Sequence, residues 1–239
     1  MNKHELLKKN IHEFENLIEY KYKDINNAIR AFTHSSYANE VKDPAIKSNE
    51  RLEFLGDAVL NVTISDIIYR KYPDLSEGEM TRIRASIVCE PSLMQCAIKL
   101  KLGEYIMLGK GEELTGGRNR ASILADAFES VIGSIYIDGG MRKARSFILK
   151  QMKKNIEDGV KGTIFIDYKT SLQELIQKKG EAKISYRVLE EKGPDHNKVF
   201  VVEVSVDNKV LSIGEGKSKK EAEQNAAMKA FNKIKEEGD

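Results

Sequence analysis

The hydrophobic pattern of this chain is purely helical at first and mixed later, and that change limits its architecture more than any other feature. Up to about residue 157 the apolar residues recur at helical spacing. Leu6, Leu7, Ile11, Phe14, Leu17 and Ile18 set the pattern over 4–18. Beyond a segment containing Gly159 and Gly162, stretches rich in β-branched residues appear between two further helices, as in Val199-Phe-Val-Val-Glu-Val-Ser-Val206. A pattern of period 3.6 cannot cover one face of a strand, so the two parts must bury their apolar residues in different layers. We expect an all-α domain over 1–157, a linker over 158–166 and a small α+β domain over 167–236.

Within the first part, helices are expected over 4–18, 24–32, 48–71, 77–88, 91–100, 120–137 and 141–157. Tyr72-Pro73 stops the third, Gly103 the fifth and Gly139-Gly140 the sixth. Residues 105–108 read as a short extended piece. Residues 109–120, with glycines at 109, 111, 116 and 117, read as a loop. In the second part a helix over 169–179 precedes strands over 183–190, 198–206 and 209–214. Asp207-Asn208 supplies a hairpin turn and a helix over 218–235 closes the domain, giving the order α-β-β-β-α.

Composition excludes several classes. The chain has 39 basic and 37 acidic residues, a net charge of only +2, so nucleic-acid binding would have to rest on local clusters. Cys89 and Cys96 are too few for a structural zinc site and read as small buried residues in a reducing compartment. The first ten residues are charged and lack the apolar core of a signal peptide. No run approaches the ~18 apolar residues that a membrane span needs. A cytoplasmic protein without a membrane partner is expected.

Two acidic segments carry the chemistry. In Asn49-Glu-Arg-Leu-Glu-Phe-Leu-Gly-Asp-Ala-Val-Leu60, Glu50, Glu53 and Asp57 fall at i, i+3 and i+7, on one helical face. Leu52, Leu55 and Val59 follow the same spacing on another. Like charges along one stripe repel, and a cation can offset that repulsion. In Ser122-Ile-Leu-Ala-Asp-Ala-Phe-Glu129, Asp126 and Glu129 stand alone among small and apolar residues, where a carboxylate is costly to bury unpaired. Oxygen-only ligand sets suit hard ions such as Mg²⁺. Spacing alone leaves a solvated acidic face as the commoner explanation.

Both segments resemble the signatures of the bacterial ribonuclease III family. So do Thr33-His-Ser-Ser-Tyr37, Glu77-Gly-Glu-Met-Thr-Arg-Ile-Arg84 and Gly116-Gly117-Arg118, in the family's order and over almost the whole chain. The resemblance implies an all-α endonuclease domain followed by a small α+β double-stranded RNA-binding domain. It implies that Glu53, Asp57, Asp126 and Glu129 are the catalytic carboxylates. Glu53, Asp126 and Glu129 would be direct ligands of Mg²⁺, with Mn²⁺ able to substitute. Glu50 would support the cluster from its edge. The expected reaction is hydrolysis of double-stranded RNA, leaving 5′-phosphate and 3′-hydroxyl ends with short 3′ overhangs. The expected substrates are ribosomal RNA precursors and some messenger RNAs. An alternative is an inactive double-stranded RNA-binding protein of the same fold, which substitution at one of the four carboxylates would signal; all four are present.

A staggered cut needs two active sites and the chain has one set of carboxylates, so a homodimer is expected. The resemblance makes Phe54 a dimer contact. His34 reads first as a hydrogen-bonded histidine near a helix end.

The segment 167–236 resembles the double-stranded RNA-binding domain in Asp167-Tyr-Lys-Thr-Ser-Leu-Gln-Glu174, Gly193-Pro-Asp-His196 and Gly214 to Ala227. Such domains meet 2′-hydroxyls and phosphates of A-form duplexes. Lys217, Lys219 and Lys220 cluster at a helix start, which suits phosphate. Gln173, Glu174 and His196 can reach sugar hydroxyls. Glu223 stands where one common form of the motif has a lysine, which removes a phosphate contact from the helix. Gly214-Glu-Gly-Lys-Ser218 is similar to the end of a Walker loop, but position 211 is leucine and no βαβ context follows, so no nucleotide cofactor is expected.

Overall fold

Eleven of the nineteen residues of one helix are buried, and the rest of the first unit wraps around it. This helix, Ala121–Gly139, is apolar on almost every side; Ile123, Leu124, Ala127, Phe128, Val131, Ile132 and Ile135 all lie in the core. The computed structural model describes residues 3–161, 168–177, 182–193 and 198–236. Backbone contacts divide the chain into two units, Met1–Phe165 and Ile166–Asp239.

In chain order the first unit comprises α1 (Lys3–Ile18), α2 (Ile25–Ala31), α3 (Ser35–Val41), α4 (Glu50–Lys71), α5 (Glu77–Ile87), α6 (Glu90–Lys99), α7 (Leu102–Tyr105), α8 (Lys110–Leu114), α9 (Ala121–Gly139), α10 (Met141–Gln151) and α11 (Lys153–Val160). Local chemistry sets several boundaries. Ser76 and Glu79 form a reciprocal capping box, with the Glu79 carboxylate accepting from the Ser76 N–H at 2.8 Å. Gly140, at φ +75°, separates α9 from α10. The far end of α9 is tied down by Asp138, which accepts from the Tyr20 hydroxyl at 2.6 Å and from the backbone of Lys23 and Asp24 at 3.0 and 2.9 Å.

The closest packing is between α4 and α9. A methyl group at Gly56 would fall on the Glu129 carbonyl, and one at Gly133 on the Leu52 carbonyl. The two helices therefore touch backbone to backbone, a distance only glycine allows. Leu52, Val59, Leu60, Ile64, Ile67 and Ile68 continue the contact along α4 into the core.

Four expectations are corrected. Residues 35–41 form α3, which the periodicity did not reveal; seven residues are too few to display a period. Residues 109–120 are not an open loop but contain α8 and a 3-10 turn over Gly117–Asn119. Two arginines organise them: Arg118 donates to the Gly103 and Ile106 carbonyls at 2.6 and 3.0 Å and pairs with Glu113, while Arg120 pairs with Glu112. Of the piece expected to be extended, Tyr105 ends α7, and Met107 bridges to Thr33. The helix expected over 141–157 breaks at buried Met152, and α11 runs on to Val160. The linker expected over 158–166 lies, from 162 onward, outside the described residues.

The second unit has α12 (Tyr168–Gln177), three antiparallel strands β1 (Ile184–Lys192), β2 (Val199–Val206) and β3 (Lys209–Gly216) in the order β1-β2-β3, and α13 (Lys219–Glu236). Asp207 and Asn208 both have positive φ, 47° and 65°, the conformation of a two-residue hairpin turn. Leu172, Ile176 and Val204 pack with Ala226, Ala227 and Ala230, whose small side chains let α13 lie close. The glycines of the Walker-like segment serve that approach: a Cβ at Gly216 would meet the Ala222 nitrogen at 2.5 Å.

The α4–α9 crossing predicts a graded effect of added methyl groups. Gly133→Ala should destabilise by about 1–3 kcal/mol in urea unfolding, by overpacking. Gly111→Ala, which meets open space, should stay within about 0.5 kcal/mol of wild type. Equal stability of the two variants would contradict the crossing.

Candidate functional site

The glycine crossing also decides which carboxylates meet. Glu53 lies three residues before Gly56 on α4, and Glu129 four residues before Gly133 on α9, so closing the helices draws the preceding turns together. Glu53, Asp126 and Glu129 each present a carboxylate oxygen within 4.8 Å of the other two. All three are half-buried. The start of α4 is held by the Asn49 N–H donating to the Thr33 carbonyl at 2.8 Å, and by the Ser130 hydroxyl donating to the Asn49 carbonyl at 3.4 Å.

Three carboxylates in partial burial cannot all ionise without cost. Burial, followed by the charges of Asp57, Asp126 and Glu53, pushes Glu129 up to about 8. Burial and the neighbouring Asp126, Glu50 and Asp57 raise Glu53. Burial and Glu90 raise Asp126, with His34 acting in the opposite direction. A compact set of hard oxygen donors, each holding its proton more firmly than a free carboxyl, matches the donor chemistry of a divalent cation, which would relieve both the repulsion and the desolvation.

Asp57 and Glu50 stand at the margin. Asp57 is exposed and accepts from the Asn61 amide at 2.6 Å, while its charge weighs on Glu129. Glu50 is exposed and accepts from the Ser48 hydroxyl at 2.6 Å. His34 caps α3: its Nδ1 accepts from the Ser36 N–H at 3.2 Å. Sequence reasoning missed Glu90. It opens α6, just ahead of Pro91, and no spacing within α4 or α9 could associate it with Asp126. Phe54, next to Glu53 along α4, is 79% exposed.

The second unit presents Gln173 and Glu174 on the exposed side of α12, and Lys217 and Lys220 at the start of α13. Gln173 and Lys220 line one groove. Ser218 begins the helix by accepting from the Glu221 N–H at 3.2 Å. Lys219 is partly engaged: its Nζ lies 3.3 Å from Glu191 on β1 and 5.6 Å from the centre of the Phe200 ring. His196 lies outside the described residues.

Comparison with known proteins gives this geometry its context. Residues 24–156 match the family model described as Ribonuclease-III-like, and residues 168–234 match the Double-stranded RNA binding motif. Ribonuclease 3 of Caldanaerobacter subterraneus subsp. tengcongensis is 51% identical over 220 residues, covering 92% of this chain and 96% of that protein. Ribonuclease 3 of Bacillus cereus strain AH187 is 50% identical over 224 residues, covering 94% and 91%. A solved nuclease domain of ribonuclease III from Campylobacter jejuni is 38% identical, with a TM-score of 0.57, and covers 61% of this chain and 98% of its own. It is described as flexible in a region involved in dimer formation. With its carboxylate cluster inside the first matched region and a duplex-RNA-binding unit in the second, this chain belongs to the ribonuclease III family and is an endoribonuclease.

Proposed function

We propose that the chain is a Mg²⁺-dependent enzyme that hydrolyses double-stranded RNA to products with 5′-phosphate and 3′-hydroxyl ends and short 3′ overhangs. The observation that carries this reading is the convergence of Glu53, Asp126 and Glu129 oxygens within 4.8 Å across two helices. These three residues would hold the ion, with Mn²⁺ as a substitute. When bound, it supplies a nucleophile at neutral pH and stabilises charge on the phosphoryl oxygens. Glu129 would hold the ion in its deprotonated form. Asp57, oriented by Asn61 and outside the trio, would accept a proton from the attacking water. Glu50 adds negative charge beside Glu53 and so favours a cation there. The segments 1–157 and 167–236 are read as the endonuclease and RNA-binding domains, joined by 158–166. Gln173, Glu174, His196, Lys217, Lys219 and Lys220 are read as contacts to the duplex.

Two cuts at offset positions require two sites, and we take the working unit to be a homodimer with α4 at its interface. Phe54, Val62 and Tyr69 fall on one side of α4 by helical spacing and are 79%, 52% and 71% exposed. The dimer-forming nuclease domain from Campylobacter jejuni supports this reading. The expected setting is the cytoplasm and the expected substrates are ribosomal RNA precursors and some messenger RNAs. No helix among the described residues is long and apolar enough to cross a membrane.

Purified protein should cleave long duplex RNA in Mg²⁺ and not in EDTA. Glu129→Ala should lower cleavage by roughly a hundredfold or more while duplex binding persists; full activity in that variant would sink the assignment. Phe54→Asp should shift the protein to a monomer in sedimentation and remove staggered cleavage, and an intact dimer would contradict the interface. Glu129 also sets a pH dependence. Its folded value, about 8, lies above the ordinary 4.5, so the folded metal-free protein binds an extra proton between those values. Stability of the metal-free form therefore falls as pH rises from 4.5 towards 8. Glu129→Gln should raise the melting temperature at pH 8 and change it little at pH 4.5, whereas equal shifts at both would contradict the burial of an ionisable group.

A further inference from the structure

The groove of the second unit holds a cation that is already occupied. Lys169, Gln173, Tyr186, Lys220 and Gln224 line this groove between α12, β1 and α13. Lys169 lies one turn before Gln173 on the same side of α12. Its Nζ is 2.6 Å from the Glu223 carboxylate and 4.6 Å from the centre of the Tyr186 ring. The two side chains are 37% and 27% exposed, so salt screens this pair less than one on the open surface. Glu223 itself follows Lys219 and Lys220 by about one turn, placing a negative charge close to lysines read as phosphate contacts.

The join between α12 and α13 has other supports. The Gln224 side-chain oxygen accepts from the backbone N–H groups of Tyr168 and Lys169, at 2.8 and 3.4 Å, and so caps α12. Leu172 and Ile176 pack into the alanine face of α13. The Lys169–Glu223 pair is thus not the attachment between these helices, and its main consequence is electrostatic.

We propose that Glu223 restrains the affinity of this unit for duplex RNA by holding Lys169, a cation otherwise available to a phosphate of the duplex backbone. The inference rests on the reading that the Gln173–Lys220 face carries the RNA. A phosphate approaching Lys169 must displace the Glu223 carboxylate or share the lysine with it. Either route costs binding free energy and cancels one counterion-releasing contact.

The test is duplex-RNA binding by the full chain in EDTA, followed by fluorescence anisotropy from about 50 to 300 mM KCl, a range where phosphate contacts dominate. Glu223→Gln should tighten binding by roughly three- to tenfold near 150 mM and steepen the log–log salt slope by about 0.7–0.9, one added phosphate contact. Lys169→Gln with Glu223→Gln should return affinity and slope to wild type. Glu215→Gln, on the opposite face of the sheet, should leave both unchanged. Unchanged or weaker binding in Glu223→Gln, a double variant as tight as the single one, or equal tightening in Glu215→Gln would each overturn the proposal. Lys220→Gln reports separately on the face itself: it should weaken binding, and failure to do so would remove the underlying reading whatever Glu223→Gln does.

Discussion

The α4–α9 contact is the constraint on which the rest of the first unit depends. Two helices normally lie 8–10 Å apart because side chains separate them. Here Gly56 and Gly133 remove that separation, and each glycine sits against a carbonyl of the other helix. The functional consequence is local. Glu53 precedes one glycine and Glu129 the other by about a turn, so the distance between carboxylates follows from the distance between backbones. A wider crossing would relax the mutual repulsion of Glu53, Asp126 and Glu129, and with it their fit to one small ion. The burial of eleven residues of α9 supports the same geometry, because a helix held in a packed core resists sliding to relieve charge at one end.

Much of this was legible because the signals were local. The 3.6-residue period gave α1, α4 and α9, and Tyr72-Pro73 and Gly139-Gly140 marked stops. Asp207-Asn208 predicted a turn that both residues make with positive φ. What escaped depended on distant partners. The order of 109–120 comes from Arg118 reaching carbonyls twelve and fifteen residues earlier, which no window on the sequence contains. α3 is too short to show a period and starts on a histidine cap. The acidic stripe of α4 was visible, yet spacing could not say that Glu53 turns into the cluster while Asp57 and Glu50 remain at its margin. Glu90 approaches Asp126 from α6 and left no trace in the pattern of either acidic helix.

The two units use charge in opposite ways although the chain as a whole is nearly neutral. In the first, like charges are crowded and half-buried, the arrangement we read as a cation site. In the second, Lys219 at the start of α13 and Lys169 at the start of α12 are partly restrained by Glu191 and Glu223, an arrangement we read as moderating affinity for a polyanion. With 14 basic and 14 acidic residues in 167–239, recognition there depends on placement and not on net charge.

The central claim is that the α4–α9 crossing builds one divalent-cation site from Glu53, Asp126 and Glu129. Mn²⁺ binding, followed by electron paramagnetic resonance at pH 7.5, tests it most directly, because the readout needs no RNA and no turnover. The account predicts saturable binding to wild type and its loss, or a weakening of at least roughly tenfold, in both Glu53→Gln and Asp126→Asn. Binding that survives unchanged in either variant would contradict it.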